Sequence, residues 1–410
     1  MWKKVGHCLG LNKKKRVTAF LGAGSSIEIG GPLATDLTSK VRNKKQIFQG
    51  KNVDFINNIA KTLNNSYKNN QGNFEDIFHV LEMLTSLNRS WRAETAKKYK
   101  TPISAFVKKN NVDYFNDDLI LLAKKDLIEE IADEIYRYDY NYDPKNQHKW
   151  YNDFWNKGNS RFNWDIYTLN YDTCIEKSLP VYKDGFERID EGFCRFNPRD
   201  IVETNDSRIV HLHGSILYGY PKFRSSNKYA LEDSFEDLYK YQSYNEAKAT
   251  WFGRSTNTAQ SSDEAIAGPI ITGLRKSDKL LHYPYSLYNH LFNFSLLTSS
   301  RLLIVGYSFG DLHYNSWLNS MLRLHGKNRR IVLITMADEK EWHCDPAVMS
   351  WLNHDTFSFV SRSFNDFNPF KSLSFNSPLV SEDGCARLYL CGFKEAAENH
   401  GMDIINFLSS

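Results

Sequence analysis

Val17-Thr18-Ala19-Phe20-Leu21 runs directly into Gly22-Ala23-Gly24-Ser25-Ser26-Ile27-Glu28-Ile29-Gly30-Gly31-Pro32. Five uncharged residues ending in glycines read as a strand covered on both faces that leaves its sheet through a tight turn. Leu33, Leu37 and Val41 then recur at helical spacing, so the unit is strand, turn, helix. Glycines let the backbone come close to a ligand, and amides at a helix start carry positive partial charge. The turn is therefore a candidate for holding a diphosphate. Ile27 stands where a dinucleotide-dehydrogenase fingerprint has its third glycine, and no Gly-Lys-Ser/Thr follows as in a P-loop. A plain strand-to-helix turn is the alternative reading.

The same punctuation recurs along the chain. Ile166-Tyr167-Thr168-Leu169, Ile209-Val210-His211-Leu212-His213, Ile270-Ile271-Thr272, Leu302-Leu303-Ile304-Val305 and Ile331-Val332-Leu333-Ile334 are apolar runs separated by helical patterns. Buried strands joined by helices predict an α/β fold with a doubly wound parallel sheet. Phe74, Ile77, Phe78, Leu81 and Leu84 form an apolar stripe, and Leu119, Leu122, Leu127, Ile131 and Ile135 a looser one, so residues 46–160 are expected as a helical insert. The stretch 217–264 is polar and rich in tyrosine (Tyr218, Tyr220, Tyr229, Tyr239, Tyr241, Tyr244) and is expected to be an insertion over a site or a partner surface. Residues 14–340 are thus read as one interrupted domain, and 341–410 as a carboxy-terminal appendage for assembly.

Composition narrows the class. With 410 residues, 41% hydrophobic and 24% charged, the chain can bury a core and is not disordered. No apolar run is long enough for a membrane span and no secretory leader is visible, so a cytoplasmic protein is expected. Six scattered cysteines with no Cys-x-x-Cys give no zinc module, and no metal is predicted. His-x-His at 211 and 213 would place two imidazoles on one strand face, but no further ligands stand at helpful spacing, and His211 reads as a hydrogen-bonded core histidine. A net charge of +4 is too small to indicate direct nucleic-acid binding.

Four motifs end predicted strands in order: Gly22-Ala23-Gly24-Ser25-Ser26 with Gly30-Gly31-Pro32, then Thr168-Leu169-Asn170-Tyr171-Asp172, then His213-Gly214-Ser215, then Gly306-Tyr307-Ser308-Phe309-Gly310-Asp311. Together they resemble the sirtuin (SIR2) superfamily, and most closely the SIR2-like, NAD-degrading domains of bacterial anti-phage defence proteins. The resemblance implies a Rossmann-like sheet with NAD as substrate at the carboxyl ends of its strands. It implies that Gly22, Ala23, Gly24, Ser25, Gly306 and Ser308 contact NAD, with Asp172 binding the carboxamide or helping to keep the site polar. Asn170 would hold the ribose or a water, and His213 would be the base. Such a base titrates near neutral pH and contributes about 10²–10⁴ in rate. Asp311 is read as a ligand contact or only a helix N-cap.

Deacylating sirtuins carry two Cys pairs and a Phe-Arg after the Gly-x-Pro turn, whereas this chain reads Gly31-Pro32-Leu33-Ala34. The expected activity is therefore NAD hydrolysis that depletes NAD during infection. The alternatives are a regulatory subunit that binds NAD or ADP-ribose without turnover and, less favoured, an NAD-dependent deacylase. Such an activity needs gating, expected from homo-oligomerisation or from a separately encoded HerA-type ATPase. The aromatic content of 14% in a polar chain suggests the surface for it.

Overall fold

The computed structural model describes residues 14–66, 72–88, 116–188, 192–220, 238–251, 270–273, 280, 283–337, 354–364 and 377–410. The opening segment forms β1 (Arg16–Leu21), helix α1 (Ala34–Asn43), and the hairpin β2 (Gln46–Phe48) and β3 (Lys51–Val53). Helices α2 (Phe55–Ser66), α3 (Phe74–Asn88), α4 (Asp117–Asn141) and α5 (Lys149–Arg161) follow. Next come β4 (Asn163–Thr168), α6 (Cys174–Ser178), β5 (Phe186–Arg188), β6 (Phe193–Phe196), β7 (Arg208–His211), β8 (Tyr218–Gly219) and β9 (Tyr239–Tyr241). The chain ends in α7 (Tyr285–Thr298), β10 (Arg301–Val305), α8 (Leu312–His325), β11 (Arg330–Ile334), α9 (His354–Phe364), β12 (Leu379–Val380), β13 (Ala386–Tyr389) and α10 (Phe393–Ser409).

Seven strands make the central sheet in the order β12-β13-β11-β10-β1-β4-β7, parallel throughout except for β12 against β13. This is the expected α/β architecture. Alternation along each strand feeds two cores. Ala19, Leu21, Ile166 and Val305 pack with the insert helices and α10, while Phe20, Tyr167 and Ile304 pack with α7, α8 and α9. Phe74, Ile77, Phe78, Leu81 and Leu84 of α3 and Leu119, Leu127, Ile131 and Ile135 of α4 are buried in the first core, so the insert and one face of the sheet share one apolar interior. Among the described residues no helix is long and apolar enough to cross a membrane.

Three expectations change. Ile270–Thr272 is not a strand; Ile271 N donates to the His213 carbonyl at 2.8 Å, and the segment runs as a loop at the sheet's edge. Tyr218, Tyr220, Tyr239, Tyr241 and Tyr244 are buried, most of them in or against a small antiparallel sheet β5-β6-β9-β8, so they do not supply an exposed partner surface; Tyr229 lies outside the described residues. The described end of the segment read as an appendage completes the central sheet. β13 pairs with β11, and Phe393 of α10 packs edge-on against Trp150, Tyr151 and Phe154 of α5.

Candidate active site

β1 and β10 are neighbours, and the turns that leave them interlock. Gly22 N donates to the Val305 carbonyl at 3.0 Å and Gly24 N to the Gly306 carbonyl at 2.9 Å. A methyl group on Gly22 would lie 2.5 Å from the Gly306 oxygen, and Gly306 itself has φ of +61° with Ser25 N 2.2 Å from where its side chain would start. These glycines are required by backbone meeting backbone. The amides of Ser25 and Ser26 close short turns onto the Gly22 and Ala23 carbonyls, and α1 begins only at Ala34. The expected diphosphate cradle of turn amides and helix dipole is thereby corrected, because four of those amides are already donated inside the protein. The turn offers exposed Ala23 and half-buried Gly24 outward.

Asn170 follows β4 and is half-buried. Ser25 Oγ donates to the Gly22 carbonyl at 2.8 Å and Ser26 Oγ to Asp172 Oδ2 at 3.1 Å. With those hydrogens placed, both hydroxyls are acceptors toward Asn170, whose Nδ2 lies 3.0 and 2.9 Å away. This network fixes the amide's orientation. Both N–H bonds point inward, and Oδ1 is the group left to meet a ligand.

Asp172 is buried behind Ser26, a placement that suits keeping the site polar and not contact with a carboxamide. It also accepts from the Tyr138 hydroxyl at 2.6 Å and from Cys174 N at 3.0 Å. Burial, and then neighbouring Asp139, push its carboxyl above the ordinary range. Asp139, Asp172 and Cys174 bring ligand atoms within 4.8 Å of one another, but Lys177 Nζ already stands 2.8 Å from Asp139 and Thr173 bonds the same carboxylate.

His213 and Asn170 follow the ends of neighbouring strands. Thr168 of β4 registers with His211 of β7, Leu212 N donates to the Thr168 carbonyl at 2.9 Å, and each site residue lies two positions beyond that pair. The two histidines do not share a face, because β7 ends at His211 and the turn through Gly214, at φ of +92°, breaks the alternation. His211 is buried against Glu176 of α6, whereas the buried His213 ring lies 6.0 Å from that of Tyr314 in α8, across the sheet's other core. His211 is the hydrogen-bonded core histidine its pattern indicated.

The loop after β10 supplies the fourth wall. Phe309 takes a left-handed φ of +58° while its ring is buried between Tyr307 and Phe359, and this leaves Ser308 exposed at the rim. Asp311 is the N-cap residue of α8, with no capping hydrogen bond from its side chain. On the far side, Tyr171 donates to the Ile271 carbonyl at 3.0 Å, and a methyl on Gly273 would touch Phe78 and Glu82, so α3 of the insert reaches the loop beside His213. Residues 274–279 of that loop lie outside the described residues.

The crevice thus gathers the turns after β1, β4, β7 and β10 at the carboxyl ends of parallel strands, where ligands bind in open α/β sheets. Residues 165–360 match the family model of the SIR2-like domain. The match takes in Asn170, His213, Gly306 and Ser308 and supports the SIR2 superfamily for this region, a group whose domains in general bind NAD as substrate. No curated protein matches the chain. Sequence reasoning missed Ser26, Tyr138 and the partners of His211. The doubled serine at 25–26 was the one local signal, since both hydroxyls converge on one amide.

Proposed function

We propose that the protein is an NAD hydrolase that cleaves the nicotinamide–ribose bond and depletes NAD in anti-phage defence. The observation that carries this reading is that Asn170, whose amide N–H groups are taken by Ser25 and Ser26, follows the end of β4 while His213 follows the end of the neighbouring β7. NAD brings a leaving group that is already cationic, so no general acid is needed for an oxocarbenium-like departure. Asn170 Oδ1 accepts a hydrogen bond from a ribose hydroxyl or from the attacking water, and orients it. His213 takes the proton from that water. Ala23, Gly24 and Ser308 line the rim on which the adenosine side would lie. Purified protein should release nicotinamide from NAD, and Asn170→Ala or His213→Ala should abolish release. Parental rates in the double variant would overturn the assignment.

In the same reading, turnover is gated by assembly with further copies of the chain or with a HerA-type ATPase. Sedimentation with and without a HerA-type ATPase should show a complex whose formation raises NAD turnover, and a monomer under both conditions would remove the gate.

A further inference from the structure

His211 is wholly buried, and both its ring nitrogens meet acceptors. Nδ1 lies 2.9 Å from the main-chain oxygen of Asn170, and Nε2 lies 2.9 Å from Glu176 Oε1. A carbonyl oxygen has no hydrogen to give, so Nδ1 must carry one. At Nε2 the same holds as long as Glu176 is ionised. Lys240 of β9, 13% exposed, lies 3.6 Å from that carboxylate and 2.6 Å from Asp184 Oδ2. Four ionisable side chains thus meet here, with Tyr182 beside Lys240 and the ring centres of Tyr218 and His211 5.9 Å apart. Burial works against the charges of His211 and Glu176 alike, but each stabilises the other, which raises the imidazole and holds the carboxyl at about 2.

We propose that His211 is held as an imidazolium and positions Asn170 by donating to its main-chain carbonyl. The residue is then clamped from two sides, its side-chain amide by Ser25 and Ser26 and its carbonyl by His211, so that Oδ1 has one direction open. The positioning role rests on the proposed function, since it matters for rate only if Asn170 orients the reactants. With Glu176 ionised, a neutral imidazole that keeps its Nδ1 proton would leave the carboxylate facing a bare Nε2.

The test uses the full chain labelled with ¹⁵N-histidine and ¹⁵N-asparagine, the His211 signals being assigned by their loss in His211→Gln. Both ring nitrogens should be protonated at neutral pH, where an ordinary imidazole has largely lost its second proton. The Asn170 side-chain amide should keep a dispersed signal that His211→Gln collapses. In turnover, His211→Gln should lower kcat by about 10-fold or more while KM for NAD stays within about twofold, the pattern of lost positioning. Glu176→Gln should give a new alkaline fall in kcat that the parent lacks. A singly protonated ring in the parent near neutral pH, or an unchanged kcat in His211→Gln, would overturn the proposal. If the variants do not fold, the parent's ring signals, assigned instead through their proximity to the Tyr218 ring, still decide it. A parent that binds NAD without releasing nicotinamide sinks the hydrolase reading alone, because the nitrogen and amide signals are read without turnover.

Discussion

With Ser25 Oγ donating to Gly22 and Ser26 Oγ to Asp172, replacing both serines by alanine removes every acceptor the structure shows for Asn170 Nδ2. The orphaned amide costs about 1–3 kcal/mol where it stays buried, so it should rotate, and the double variant should lose about 10- to 100-fold in nicotinamide release. Unchanged release would show that the serines do not set the orientation. Glu176 makes a second prediction at this scale. Its carboxyl is held at about 2 against an ordinary 4.5, so it stabilises the fold fully above about pH 4.5 and loses that contribution as pH falls toward 2. The difference is of order 3 kcal/mol. Asp172, shifted upward, has the opposite sign, because the folded state takes up its proton first on acidification. Urea midpoints measured between neutral pH and pH 3 should therefore fall in the parent and flatten in Glu176→Gln. That variant should start lower, since breaking a buried pair costs about 3–5 kcal/mol. Asn170 and His213 were legible as polar residues closing apolar strands. The Ser26–Asp172 and His211–Glu176 bonds were not, because each joins segments at least 35 residues apart and no local spacing encodes them.

At the level of strands and turns, periodicity served well where burial was two-sided. Val17–Leu21, Leu302–Val305 and Ile331–Ile334 are strands because each side chain has a covered face to enter, whichever way it points. The Gly-x-Gly turn was legible as a turn but not in its purpose, since a close ligand and a close neighbouring loop demand the same missing Cβ. Ile270–Thr272 misled for a related reason: an apolar run packed beside His213 and Tyr171 resembles a strand without a ladder to join. Gly306 tests the interlock. Gly306→Ala must place a methyl group about 2.2 Å from Ser25 N at a φ of +61°, so either the β1 and β10 turns separate or the backbone strains. The expected loss is about 2 kcal/mol or more in urea unfolding. Nicotinamide release should fall with it, because Ser25 moves away from Asn170. A stable and active Gly306→Ala would mean that the turns are not held together here.

For the whole molecule, the decisive surprise is where the last residues go. Composition becomes irregular after Thr335, and nothing local signals that α10 must find α5, more than two hundred residues earlier. Yet Phe393 meets Trp150, Tyr151, Phe154 and Trp155, and Ile404, Ile405 and Leu408 enter the core shared with the insert. β13 covers the flank of β11, whose Ile331, Val332, Leu333 and Ile334 are buried, and the Ser410 carbonyl is bonded by Lys15 and Arg301 near the starts of β1 and β10. An appendage could be removed without consequence, and this segment cannot. Phe393→Ala leaves a hole among four rings and should cost about 3–5 kcal/mol, read as a fall in the urea midpoint. Deleting residues 379–410 goes further, since it strips an apolar layer from one face of the sheet and exposes β11 as an unpaired edge prone to association. The shortened chain should show no cooperative thermal transition and should aggregate. A midpoint equal to the parent's would mean that the sheet stands without its last strands, and would reinstate residues 379–410 as a separable module.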